Sequence, residues 1–164
     1  MRDIRSVTVW GDSVMKGVVY DEEKERYTLL PECSANRASR ALGLRLRNRS
    51  RMGCTVTKGL QIMRKDLETE AAGGVALIEF GGNDCDYDWK AISEDPDGEH
   101  LPHTPSEKFI DQYCTAIRKA QSAGARVAMT SLPPLEQERY FSFITRGLSA
   151  ENILHWLGDT DHLY

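Results

Sequence analysis

No stretch of this chain is apolar for long enough to cross a membrane, and its amino terminus carries no apolar signal region. Met1-Arg2-Asp3-Ile4-Arg5 leads straight into a strand-like run. Basic charge is not in excess: 21 Lys and Arg against 25 Asp and Glu leave a net charge of −4, which removes the electrostatic case for nucleic acid. The four cysteines, Cys33, Cys54, Cys85 and Cys114, show no close pair and no metal-type spacing. They are expected to be free thiols in a reducing cytoplasm, with Cys54 and Cys85 read as small buried residues beside motifs. Internal repeats and low-complexity linkers are also missing. What is present, 164 residues at 40% hydrophobic and 28% charged, is enough for one globular domain with a single core.

Strand and helix signals alternate along it. Val7-Thr8-Val9-Trp10 is β-branched and aromatic and stops at Gly11. Met15 to Pro31, with Asp21-Glu22-Glu23-Lys24-Glu25-Arg26, is expected to be a surface loop. A helix is expected from about Ser34, its cap, to Leu42, with Gly43 as the stop. Arginine then occupies every second position from Arg45 to Arg51, which puts four arginines on one strand face and Leu44 and Leu46 on the other. Such a strand suits a sheet edge, where charge discourages unwanted pairing. Leu60, Met63, Leu67 and Ala71 recur at helical spacing before Gly73-Gly74. Val75 to Phe80 is almost continuously apolar, as a central strand requires.

Asp84 to His103 reads as an acidic, irregular insertion of the kind that forms lids or binding loops. Thr104-Pro105-Ser106-Glu107 then starts a helix with a cap, a first-position proline and a capping-box glutamate. That helix is expected to turn Phe109, Ile110, Tyr113, Ile117 and Ala120 inward. Ala125 to Ser131 supplies a fourth strand, ended by Pro133-Pro134. Tyr140, Phe141, Phe143 and Ile144 form an apolar cluster in a partly helical stretch, and Ser149 caps a helix that runs to Gly158. Strand and helix in alternation imply a parallel, doubly wound α/β sheet.

Three short stretches follow strands at the end where such sheets place their ligands. They are Gly11-Asp12-Ser13, Met52-Gly53-Cys54-Thr55 and Phe80-Gly81-Gly82-Asn83-Asp84. In order and spacing they resemble the SGNH (GDSL) hydrolases, a family with Gly-Asp-Ser after strand one, a glycine after strand two and Gly-x-Asn-Asp after strand three. Val14 stands where that family usually has leucine. The resemblance covers about the first 135 residues. It implies a flavodoxin-like three-layer α/β/α fold, a parallel sheet of order 2-1-3-4 with the fifth strand missing, and a serine esterase or acylhydrolase that needs no cofactor or metal.

By the same resemblance Ser13 is the nucleophile, and the backbone N–H groups of Ser13 and Gly53 with the Asn83 carboxamide form the oxyanion hole. A glycine permits close backbone approach, and a carboxamide donates without carrying charge. Asp12 and Asp84 are expected to hold these loops by side-chain-to-backbone hydrogen bonds. The family takes its base from an Asp-x-x-His block after a fifth strand. Asp159-Thr160-Asp161-His162 has that spacing but follows a helix, so it is read as a chance match. The 164 residues are then expected to stop short of the real block. The alternative is a non-hydrolytic module that holds phosphate or flavin on the loop after strand one. As partners the sequence suggests a small-molecule ester, no nucleic acid, no membrane, and self-association through an exposed fourth strand.

Overall fold

A computed structural model describes residues 4–70 and 73–163, without the side chains of 68–70. Ala71 and the first three residues, on which expectations were also placed, lie outside the described residues. No helix in the described residues is long and apolar enough to cross a membrane. The chain divides into two compact units, the first running to Asp84 and resuming over Ser106–Leu132. The second joins Cys85–Pro105 to the residues from Pro133 onward.

In the first unit, β1 (Ser6–Gly11), β4 (Arg45–Asn48), β5 (Val75–Glu79) and β6 (Arg126–Met129) form one parallel sheet, ordered β4-β1-β5-β6. In chain order of these four strands this is 2-1-3-4, as expected. Helices α3 (Val56–Glu70) and α5 (Ser106–Ser122) bury Leu60, Met63, Leu67, Ala116 and Ala120 against Trp10, Ala76, Ile78 and Phe80. The helical repeat of α3 is therefore the core face the sequence announces. On α5, however, Ile110 is exposed and Ala116 takes the inward place, because a 3.6-residue period steps off Ile110 after Phe109. β4 is the edge strand foreseen from its arginines: Arg45, Arg47, Arg49 and Arg51 are exposed, while the residues between them are half-buried or buried.

Helix α2 (Ser34–Ala41) lies where it was expected, but Ser34 is its first helical residue rather than its cap. Cys33 is its cap and makes no side-chain capping bond. The segment expected to be a surface loop is instead a two-stranded hairpin, β2 (Val18–Asp21) paired antiparallel with β3 (Arg26–Leu29), after the single-turn α1 (Ser13–Lys16). The acidic run that suggested a loop is its turn, where the Asp21 carboxylate accepts from the Lys24 N–H at 3.1 Å. Tyr20 and Tyr27 meet edge to face across the ladder, 5.4 Å between ring centres, a cross-strand pair of the kind that stabilises hairpins.

The second unit corrects the reading of Asp84–His103 as irregular. It contains α4 (Trp89–Glu94), capped by the Asp88 carboxylate on the Ala91 N–H at 3.1 Å. Ile92 packs with Ile144 of α6 (Gln137–Ile144) and Ile153 of α7 (Ala150–Leu157) in a separate small core. Tyr140 and Phe141 join this core, whereas Phe143 is exposed, with the Arg146 guanidinium over its ring. Ser149 caps α7 as expected, its hydroxyl accepting from the Asn152 N–H at 3.2 Å. Asp86 anchors the unit: one carboxylate oxygen accepts from the Trp89 indole (2.8 Å), the Tyr140 hydroxyl (2.8 Å) and the Tyr87 N–H (3.0 Å).

Candidate active site

The site is built where β1, β4 and β5 of the first unit end. Beyond Gly11 the chain turns at Asp12, whose Oδ1 accepts from the Val14 N–H at 2.8 Å and caps α1. Ser13, the first residue of that turn of helix, is half-buried. The loop after β4 is laced to this turn from both sides. The Arg51 N–H donates to the Gly11 carbonyl (3.0 Å), the Asn48 amide to the Met15 carbonyl (2.7 Å), and the Lys16 ammonium to the Ser50 carbonyl (3.3 Å). Those bonds bring the Gly53 loop to the Ser13 loop.

Gly53 has φ +64°, a conformation that side chains rarely adopt, and a Cβ there would point into open space. Its requirement for glycine is therefore backbone conformation rather than crowding. The residue is exposed.

The third loop is joined to the first by a direct side-chain bond. The Asn83 amide donates to Asp12 Oδ2 at 3.0 Å. Asp84, almost wholly buried, accepts from the Val56 N–H with both carboxylate oxygens at 3.0 Å. Its charge thus sits on the first N–H of α3, where the helix dipole favours it. Asp12 and Asp84 hold loops, as the sequence suggested. The three stretches singled out by their spacing are drawn into one place by these bonds.

Two residues of the site escaped the sequence reading. Asn48 was absorbed in the arginine-bearing strand, and Glu79 was counted as part of an apolar one. A glutamate inside a nearly continuous apolar run was the available signal, since this residue is rarely buried unless paired. Glu79 is 1% exposed, and its Oε2 accepts from the Asp12 N–H at 3.2 Å. Burial first, and the Asp12 charge second, push its carboxyl up from 4.5 to about 7. Asp12 is also raised, by desolvation, but it has the Val14 N–H and the Asn83 amide to support a charge. Tyr113, whose hydroxyl donates to the Ile78 carbonyl at 2.9 Å, is pushed to about 12 by burial and then by Glu79.

Cys54 is buried, and desolvation raises its thiol, which makes it a packing residue. Cys85 is exposed, contrary to expectation, because it lies where the chain leaves the sheet. All four cysteines are free thiols.

No protein-family model matches the chain, and no curated protein matches it. Solved structures do. The chain is similar to AlinE4, an SGNH-hydrolase family esterase, over 100% of its own length and 84% of that chain, at 19% identity and TM-score 0.56. The fold is that of the SGNH hydrolases. A lipase/acylhydrolase from Enterococcus faecalis shares the SGNH fold at TM-score 0.56 and 18% identity, over 97% of this chain and 69% of that one. A lipolytic G-D-S-L family protein from Veillonella parvula DSM 2008 matches 76% of this chain at TM-score 0.53 and 15% identity. The chain spans 57% of that protein's length.

All four histidines belong to the second unit. His162, in a short 3-10 helix (Thr160–Leu163), donates from Nδ1 to the Leu157 carbonyl at 2.6 Å. Asp159 is engaged on the same turn, its Oδ1 accepting from the Asp161 N–H at 3.0 Å, a bond that holds its carboxyl below the usual range. Aspartate and histidine here both bond to local backbone, as in a helix end. His155 meets Asp97 at 2.9 Å, and His100 meets the Asp95 carbonyl at 2.7 Å.

Proposed function

We propose that the chain carries the nucleophile and oxyanion site of a serine hydrolase acting on carboxylic esters. The observation that carries this reading is the Asn83–Asp12 hydrogen bond, which fixes a carboxamide beside the residue preceding Ser13. In the proposed reaction the Ser13 hydroxyl gives its proton to a base as its oxygen attacks the ester carbonyl carbon. Negative charge moves onto the carbonyl oxygen, where the Ser13 and Gly53 backbone N–H groups and the Asn83 amide receive it. Collapse of that intermediate expels the alcohol, and water then releases the acid from Ser13.

The same geometry weighs against a phosphate or flavin on this loop. The Val14 N–H at the start of α1 is already taken by the Asp12 carboxylate, and Asp84 adds negative charge nearby. A phosphate, charged on arrival, would be repelled by these carboxylates. An ester carbonyl is neutral on arrival and acquires charge only at its oxygen.

We assign no base among the chain's histidines. His162→Ala is expected to leave hydrolysis of short p-nitrophenyl esters unchanged. Loss of turnover in that variant, with the fold intact by circular dichroism, would make Asp159 and His162 the working pair. The nucleophile itself is tested with a fluorophosphonate probe on a form of the protein that contains a complete triad. The label should appear on Ser13 by intact-mass and peptide analysis and vanish in Ser13→Ala; labelling of that variant to the same extent would overturn the assignment.

A further inference from the structure

Glu79 sits directly beneath the turn that carries Ser13. A Cβ added to Gly11 would lie 2.7 Å from Glu79 Oε2 and 2.9 Å from its carbonyl oxygen. The carboxyl group thus occupies the space that any larger residue at position 11 would need. Oε2 receives the Asp12 N–H, while Oε1 is buried without a hydrogen-bond partner among the described residues. A charged oxygen in that position would be costly, since buried charge needs pairing. The Asp12 carboxyl lies near enough for its charge to act on Glu79, and two neighbouring buried carboxyl groups resist being charged together, so one keeps its proton. Asp12 has two other donors and Glu79 has none beyond the Asp12 N–H, so the proton belongs on Glu79.

From there the contacts form a chain. Glu79 holds Asp12 at its backbone N–H and feels its carboxyl as a neighbouring charge, and Asp12 holds the Asn83 amide. We propose that Glu79, as a neutral carboxyl, is a positioning residue that fixes Asp12 and through it the direction of the Asn83 amide. Losing its proton places two carboxylates against each other, frees Asp12 to turn away, and misaims Asn83. The other titratable groups acting on the pair are Asp84 from the loop after β5, Tyr113 from α5 and Cys54 from the loop after β4. Tyr113 and Cys54 stay neutral at moderate pH, and Asp84 adds negative charge. Their sum favours the proton on Glu79.

The functional consequence rests on the hydrolase reading, so the experiment has an arm that does not. The first arm follows, by NMR, the Glu79 carboxyl carbon and the Asn83 side-chain amide of the full chain between pH 5 and pH 9. The Asn83 signals should move with the same midpoint as Glu79, near neutrality, and Glu79→Gln should abolish that movement. A Glu79 carbon that titrates like an ordinary glutamate overturns the proposal, as do Asn83 signals that ignore its titration. The second arm measures p-nitrophenyl ester hydrolysis by a form of the protein that contains a complete triad. The parent's kcat should fall several-fold above neutral pH with KM little changed, and Glu79→Gln should remove that alkaline decline while Glu79→Ala lowers kcat about tenfold throughout. An alkaline decline that survives in Glu79→Gln counts against the proposal. Absence of any hydrolysis in that complete form sinks the esterase reading alone, and the NMR arm then decides for Glu79.

Discussion

Replacing Gly59 with alanine sets two effects of known size against each other. The residue lies inside α3, where alanine is the better helix former by about 1 kcal/mol. A Cβ there, however, would come within 2.1 Å of Phe80 Cζ and 2.6 and 2.7 Å of its Cε atoms. Contacting carbons prefer about 3.5–4.0 Å, so the ring must retreat by more than about 1 Å. Phe80 is 4% exposed and packed among the core residues of the sheet and α3, which leaves it nowhere to go without moving neighbours. Overpacking of this kind costs about 1–3 kcal/mol. Three atoms of one buried ring are displaced at once, so the upper half of that range applies. The net expectation for Gly59→Ala is a loss of about 1–2 kcal/mol, read as a melting temperature about 2–8 °C lower. A Phe80→Leu background should relieve part of it, and the double-mutant cycle should show coupling of about 1 kcal/mol. Urea and thermal unfolding of the four proteins decide the matter. A Gly59→Ala variant as stable as the parent, or more so, would refute the packing argument. Because Phe80 leads into Gly81-Gly82-Asn83, ester hydrolysis should also fall further than the stability loss alone explains.

In a form of the protein that contains a complete triad, Asn83→Ala should lower kcat on p-nitrophenyl esters by about 100- to 1,000-fold while changing stability by only about 1–2 kcal/mol, the worth of its bond to Asp12. Kinetics beside thermal melts test this; a melting shift that accounts for the whole loss would make the residue structural. The Glu79 carboxyl, raised from 4.5 to about 7, binds its proton more tightly in the folded state than in the unfolded one. Its stabilisation is complete below pH 4.5 and is lost as pH rises through about 7, on the order of 3 kcal/mol. Urea midpoints at pH 5 and pH 8 should therefore diverge more in the parent than in Glu79→Gln, and equal divergence would show that another group governs the slope. Self-association is expected through β6, an edge strand with Met129 exposed; Met129→Lys should shift sedimentation toward the monomer, and a parent already monomeric at high concentration would argue against it.

What the sequence disclosed, it disclosed through period and punctuation. The arginines of β4 announced an edge, and the apolar run of β5 announced a central strand, because a period of two and its absence have direct meaning for burial. Ser13, Gly53 and Asn83 could be picked out because the three stretches that hold them, each beyond a strand-like run, resemble in order and spacing those of the SGNH hydrolases. The bonds that draw their loops together could not, since Asn48 reaches the Met15 carbonyl across 33 positions of sequence and Asn83 reaches Asp12 across 71. The hairpin of β2 and β3 was hidden by the charge of its own turn, although Val18, Val19, Tyr20 and Tyr27 are good strand formers. The small core around Ile92 was hidden for a related reason. Acidic residues crowd the six-residue helix α4, and its partners, Ile144 and Ile153, arrive only after α5 and β6 have intervened. Glu79 was read as a member of a strand when its carboxyl belongs to the site.

The placement of the three tryptophans gives the chain a built-in optical record of its two units. Trp10 lies alone in the first unit, 1% exposed, its indole nitrogen without a hydrogen-bond partner among the described residues. An indole so isolated from water emits at short wavelength. Trp89 and Trp156 both lie in the second unit, 6.3 Å between ring centres, with Trp89 bonded to the Asp86 carboxylate. Their emission should differ in colour and lifetime from that of Trp10, and Tyr87 can pass excitation to both. A denaturant titration followed at two wavelengths therefore watches each unit separately. Coincident curves would mean that the two melt as one, and separated curves would give each its own midpoint from a single unlabelled sample.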